Sequence, residues 1–238
     1  MQFLKTSLFT LLALAAISCN KNADDDSLFV VTEEEAVVLI EASLSEEAAG
    51  ASATTAEYVR AYEAEIEQNV QCNVSEQTTY NLTYNGSVAQ TNYRFEWDYL
   101  IACNSLSIPE SATFNASGNG TYSTNRIESA DASTFSANVT GLEPSVSALT
   151  FNGSFARSGT QRLTTNQNTR TIISSFTSQL NDLVVSRTNY QIDSGTGSFT
   201  LTGTNNQNQF SFTGTIEFTG NQTATVTLNG SSYNISLI

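Results

Sequence analysis

Histidine is absent from the 238 residues, and lysine stands only at positions 5 and 21. No Ser-His-Asp or Cys-His site can therefore be built. Histidine-containing zinc sites and Ser-Lys dyads in the body of the chain fall with it. Basic residues are scarce: nine against 23 acidic ones, for a net charge of −14. Binding a nucleic-acid backbone needs a basic patch, and none is present, so no nucleic-acid partner is expected. Proline occurs only at 109 and 144. The longest apolar-leaning run, Leu8 to Ile17, is too short to span a bilayer as a helix, which needs roughly 20 residues.

The charge is unevenly placed. Residues 24–68 hold thirteen acids and a single base, Arg60, whereas residues 69–238 hold ten acids and six arginines.

The short apolar run has a function of its own. Lys5 precedes it, and the small residues Ala15, Ala16 and Ser18 follow, ending at Cys19. A charged start, a short apolar middle and small residues before a cleavage point predict a secretory signal. The stretch Ala16-Ile17-Ser18-Cys19 resembles the lipobox of bacterial lipoproteins, with Ala16 where the commonest pattern has leucine. The resemblance implies that the Cys19 thiol receives a diacylglyceryl group, that the signal is cleaved before it, and that the new amino terminus is acylated. Each buried methylene contributes about 0.8 kcal/mol, so two or three chains anchor firmly where one is marginal. Asn20, rather than aspartate, implies transfer to the outer membrane. Lys21 followed by Asp24, Asp25 and Asp26 is similar to the surface-export signal of some Gram-negative lipoproteins. Asp26-Ser27-Leu28 looks like an O-glycan acceptor, which implies modification of Ser27. Beyond the signal, the chain loosely resembles surface lipoproteins with a helical N-terminal segment and an Asn/Thr-rich β domain. That resemblance implies no activity.

With Cys19 acylated, Cys72 and Cys103 remain. An even pair in an exported chain predicts a disulfide.

Residues 28–70 read as helical. Thr32 with Glu35 predicts a capping box, and Glu33 and Glu34 suit a helix N-terminus. Val37, Ile40 and Leu44 recur at helical spacing. After a break at Gly50-Ala51-Ser52, Thr54 with Glu57 predicts a second box, followed by Val59, Tyr62 and Ile66. Each helix should carry one apolar stripe and one solvated acidic face.

From Cys72 onward the period changes to two, with Thr, Ser, Asn and Gly dominant, as in antiparallel sheet. Paired residues in an antiparallel hairpin have a constant sum of numbers. Setting Cys72 opposite Cys103 places Val74 against Ile101, Thr78 against Trp97, Tyr80 against Phe95 and Leu82 against Tyr93, with a loop near 85–90. At the other end, a turn at Asn229-Gly230 pairs Val226 with Tyr233 and Ala224 with Ile235. Further pairs are Ile216 with Val226, Phe218 with Ala224, and Leu201 with Phe212 around a loop at 205–208. Asn152-Gly153 should lie within a strand, since alternation runs through it. Additional strands are expected near 111–117, 120–127, 133–140, 147–157, 169–180 and 183–192, about twelve in all. The expected fold is mainly β: an antiparallel meander sheet curled into a sandwich or open barrel, with the two N-terminal helices packed on it. The chain then divides into a signal at 1–18, an acidic tether at 19–27, a helical segment at 28–70 and a β domain at 71–238.

Candidate sites are few. Arg94, Glu96 and Asp98 share one face of a strand, opposite Tyr93, Phe95, Trp97 and Tyr99. Paired carboxylates can hydrolyse glycosides, but strand neighbours two apart point in parallel rather than across a substrate. A row of threonines at 200, 202, 213, 215, 223, 225 and 227 occupies the polar face of the C-terminal meander, where threonine is an ordinary choice. No catalytic residue, metal or cofactor is assigned. The leading expectation is a non-catalytic, lipid-anchored surface lipoprotein with a binding or envelope-structural role. Its membrane contact is through acyl chains on Cys19, and its ligand a glycan or an apolar molecule. The alternatives are a carrier holding an apolar ligand within the curled sheet, and a carboxylate-based hydrolase.

Overall fold

The computed structural model describes residues 30–66, 71–165, 168–206 and 208–238. The signal, Cys19, Lys21, Asp24, Asp25, Asp26 and Ser27 lie outside the described residues.

Two helices come first: α1 (Glu33–Leu44) and α2 (Ala51–Ile66). The capping box at Thr32 forms as expected. The Thr32 hydroxyl accepts from the Glu35 amide, and the Glu35 carboxylate accepts from the Thr32 amide at 3.0 Å. The second expected box does not form, because α2 already starts at Ala51. The Thr54 and Thr55 hydroxyls donate back to the Gly50 and Ala51 carbonyls, each at 3.1 Å. Gly50 permits the early start: a Cβ there would lie 2.5 Å from the Ser43 carbonyl oxygen.

The expectation of one solvated acidic face per helix is also corrected. Residues 51–56 are all buried, and so is Glu35 in α1. The run Ala-Ser-Ala-Thr-Thr-Ala has only small side chains, so α2 can sit deep against the sheet on every side.

The sheet has ten strands among the described residues: β1 (Ser75–Asn85), β2 (Ala89–Cys103), β3 (Pro109–Thr124), β4 (Ile127–Thr140), β5 (Ala148–Thr165), β6 (Asn168–Ser186), β7 (Ile192–Asn205), β8 (Asn208–Gly220), β9 (Thr223–Leu228) and β10 (Ser231–Ser236). Each pairs antiparallel with the next, giving a simple meander whose edges, β1 and β10, are not bonded to each other. Ten replaces the expected twelve because two apparent turns are strand interiors. Gly118-Asn119-Gly120 runs through β3, with Phe95 and Tyr93 directly opposite the two glycines. Asn181-Asp182 is a bulge in β6: Asp182 takes a φ of 48°, and the Asn152 side chain accepts from its amide at 2.9 Å.

The expected registers hold. Tyr80 faces Phe95 and Leu82 faces Tyr93 in β1–β2, with Asn85 paired to Gln90. Val226 faces Tyr233, Ile216 faces Val226, and Leu201 faces Phe212. Asn205 and Asn208 are themselves paired, so that connection is tighter than expected. The Cys72–Cys103 disulfide joins the chain before β1 to the end of β2, with a Cα separation of 5.5 Å.

The sheet curls around the helices. The link between α1 and α2 bonds near both ends of the meander: the Thr91 hydroxyl on β2 donates to the Glu47 carbonyl, and the Glu46 amide donates to the Leu237 carbonyl beyond β10, at 2.8 Å. The inner face is apolar and filled. Tyr58 of α2 packs among Tyr99, Phe114 and Phe151, with ring centroids 4.4–6.1 Å away.

One polar cluster interrupts this apolar face. Arg157 on β5 pairs with Asp131 on β4 at 2.8 Å, and both side chains are almost wholly buried. The same guanidinium donates to the Ala42 and Ala48 carbonyls and to the Tyr93 hydroxyl. Tyr93 and Ser129 in turn donate to the two Asp131 oxygens. Burial pushes the Tyr93 phenol well above its ordinary pKa, although Arg157 pulls it down, so it stays protonated as a donor. Gly159 faces Asp131 across the β4–β5 pair. A Cβ at Gly159 would crowd the Ala130 carbonyl oxygen and the Asp131 Cα and Cβ, so the close approach of β4 and β5 there needs glycine.

Breaking a buried pair leaves an uncompensated charge. Arg157→Leu should therefore cost about 3–5 kcal/mol in urea unfolding, and adding Asp131→Leu should recover part of that loss. The disulfide closes a separation of 31 residues at the sheet's free edge. Replacing both Cys72 and Cys103 with serine should cost about 3–4 kcal/mol and speed amide exchange in β1 before the rest of the sheet.

Candidate functional site

Period-two alternation divides every strand between two faces. The inner face is largely taken up by the helices: beside Arg157 it leaves a void of about 10 Å³, room for a single water, and at its rim, between α1 and the β3–β4 turn, an open cleft of about 260 Å³ lined by Val38, Tyr122 and Ile127 among others. The outer face is polar, and a twisted, curled sheet has a waist that is concave along its strands. Over β1–β4 this makes an open trough of about 730 Å³, within the range of small-molecule sites of roughly 300–1,000 Å³.

Two rungs of side chains floor the trough. Gln77, Asp98, Asn115 and Ser136 face one another in consecutive strands and make the first rung. Thr79, Glu96, Ser117 and Thr134 make the second. The first is internally ordered. The Ser136 hydroxyl donates to Asn115 Oδ1 at 2.7 Å, and Asn115 Nδ2 donates to Asp98 Oδ2 at 2.9 Å. The second rung is joined to Arg94, whose guanidinium lies 3.8 Å from Glu96. A smaller extension of about 330 Å³ continues past Arg94 and Asn119.

The three charged residues singled out from sequence, Arg94, Glu96 and Asp98, thus meet in one place. Glu96 and Asp98 project side by side from one strand, as expected, and no second carboxylate faces them across the trough. Trp97 and Phe135 lend backbone to its floor while their rings are buried on the inner face. The threonine row lies on the outer face of β7–β9, where Thr225 donates to Asn234 and Thr227 meets Ser232 at 3.3 Å.

Sequence reasoning missed Asn115, Ser117, Thr134 and Ser136. Splitting β3 in two hid the register that carries the β2 rungs onto β3 and β4. It also missed Asp131 and Arg157. A signal for these existed: Asp131 shares parity with Ile127, Phe135 and Val139, and Arg157 with Phe151, Phe155 and Leu163, all buried.

Among the described residues, no group of three or more His, Cys, Asp or Glu side chains is placed to hold a metal ion. No described helix is long and apolar enough to cross a membrane. Comparison of the chain with known protein families, known proteins and solved structures finds no match.

The side chains of the two rungs project from the outer face, away from the core. Glu96→Gln, Asp98→Asn and Asn115→Ala should each change stability by less than about 0.5 kcal/mol in thermal unfolding. A loss as large as that of Arg157→Leu would make the trough a structural feature.

Proposed function

We propose that this chain is a lipid-anchored outer-membrane lipoprotein, displayed at the cell surface, whose β domain binds a ligand through its outer face and carries out no chemistry on it. The observation that carries the binding role is the division of the sheet. The inner face is filled by the protein's own helices, while the outer face offers a polar trough of about 730 Å³. For a carrier of apolar ligands the inner face offers only the rim cleft of about 260 Å³, below the roughly 300 Å³ at which small-molecule sites begin. Two parallel carboxylates on one strand give a hydrolase no opposed acid and base.

The anchor rests on Ala16-Ile17-Ser18-Cys19 and its resemblance to a lipobox, and surface display rests on Lys21 with Asp24, Asp25 and Asp26. The arrangement is consistent in its chemistry: acyl chains on Cys19 would hold the membrane, and an acidic stretch lies in sequence between them and the helices.

On this reading, protease added to intact cells degrades the protein. Replacing Asp24, Asp25 and Asp26 with alanine abolishes that cleavage while leaving the protein in the membrane fraction. Cys19→Ala moves the protein out of the membrane fraction. Mature protein free in the medium with an unmodified Cys19 thiol would overturn the anchor, and cleavage unchanged by the aspartate replacements would overturn the tether's role.

A further inference from the structure

We propose that the trough over β1–β4 binds a neutral oligosaccharide, with the Asp98–Asn115–Ser136 rung as its fixed recognition element; this rests on the reading that the outer-face trough is the binding surface. Four observations converge on that class of ligand.

The first is the lining. Apart from the two carboxylates, the side chains of both rungs are hydroxyls and carboxamides, which donate and accept alike. A sugar presents the same double capacity at each hydroxyl. An apolar ligand would leave these groups unpaired, which costs affinity.

The second is charge. Glu96 and Asp98 only accept hydrogen bonds, so they call for donors on the ligand. Arg94, the cation beside the trough, already lies 3.8 Å from Glu96. Phosphates, sulfates and uronic acids would meet two carboxylates against that one exposed arginine, so an anionic ligand is disfavoured.

The third is pre-organisation. The Ser136 hydroxyl is committed to Asn115, and the Asn115 amide to Asp98 Oδ2. This chain fixes the orientation of the carboxamide and of the carboxylate without a ligand. Neither bond uses Asp98 Oδ1 or the second Asn115 N–H, and Asn115 is exposed. An acceptor and a donor side by side match the paired hydroxyls of a pyranose. A group held in place before binding loses less freedom when the ligand arrives.

The fourth is shape. Adjacent strands lie about 4.8 Å apart, and successive outer-face residues on a strand about 6.8 Å apart. A trough four strands across and two rungs wide is therefore longer than broad, an open slot for a short chain rather than for a single ring. No aromatic ring lies on its floor, so recognition is by hydrogen bonds, and affinity is modest.

The test uses the full acylated chain in detergent. Titration calorimetry and a glycan array are run against neutral oligosaccharides (gluco-, manno-, xylo- and N-acetylglucosamine series). Acidic ones (oligogalacturonate and oligoalginate) are run in parallel. Binding of at least one neutral series is expected, weakened about tenfold or more by Asp98→Ala and by Asn115→Ala, and unchanged by Thr213→Ala with Thr215→Ala on the far part of the sheet. Unchanged thermal unfolding of each variant shows that it is folded. Absence of binding to every neutral series overturns the proposal. So does binding confined to the acidic series. If that acidic binding is lost in Asp98→Ala, the trough stands as the binding surface and only the ligand class is wrong. Neutral binding that survives Asp98→Ala and Asn115→Ala overturns the trough itself.

Discussion

The guanidinium of Arg157 holds the two halves of the molecule together. It reaches from the middle of the sheet to the Ala42 carbonyl in α1 and the Ala48 carbonyl in the link to α2, while its charge is met by Asp131. A buried pair repays its desolvation only when the geometry is good and the remaining atoms find partners. Here they do: Tyr93 and Ser129 saturate the carboxylate, and Arg157 also donates to Tyr93. Apolar packing alone is tolerant of how a helix slides or turns. Fixed donors aimed at two carbonyls are not, so this cluster sets where the helices lie on the sheet.

The lopsided charge of the chain has a structural meaning in this light. The helical segment is acidic and the sheet carries most of the arginines, and three of those arginines point at the helical segment. Besides Arg157, Arg170 meets Glu35 at 3.3 Å, and Arg187 meets Glu63 at 2.6 Å. Arg187 also lies over the Tyr62 ring, whose hydroxyl donates to the Leu142 carbonyl at 2.6 Å. At the N-terminus of α1, Tyr233 and Asn229 donate to Glu33 and hold its carboxyl below the usual range. The acids that looked like a solvated face are in part a set of docking contacts.

Much of the architecture was legible because a meander is the simplest sheet. Consecutive strands pair, so the arithmetic that set Cys72 opposite Cys103 also set the four aromatic and aliphatic pairs between them. Thr32 and Glu35 formed their capping box because that motif is local. What failed was non-local. Thr54 and Glu57 carry the same motif, but the close approach of Gly50 to Ser43 decided where α2 begins. Gly118-Asn119-Gly120 has the composition of a turn, yet the rings of Phe95 and Tyr93 cover the glycines from the next strand and keep it in the sheet. The trough was half legible. Arg94, Glu96 and Asp98 stood out by charge within one strand, whereas Asn115 and Ser136 are ordinary residues until lateral pairing brings them alongside.

The order of the elements along the chain has a consequence for assembly. Ribosomes make α1 and α2 before the sheet, and helices of 12 and 16 residues are marginal in isolation. Their resting place exists only after β4 and β5 have been synthesised, and Arg157 arrives more than a hundred residues after Ala42. The helices are thus made before the sheet but locked only after it. In the interval its alanine- and valine-rich surfaces stand uncovered, a period in which a holding chaperone, or rapid hairpin-by-hairpin growth of the sheet, would decide how much of the newly made protein survives.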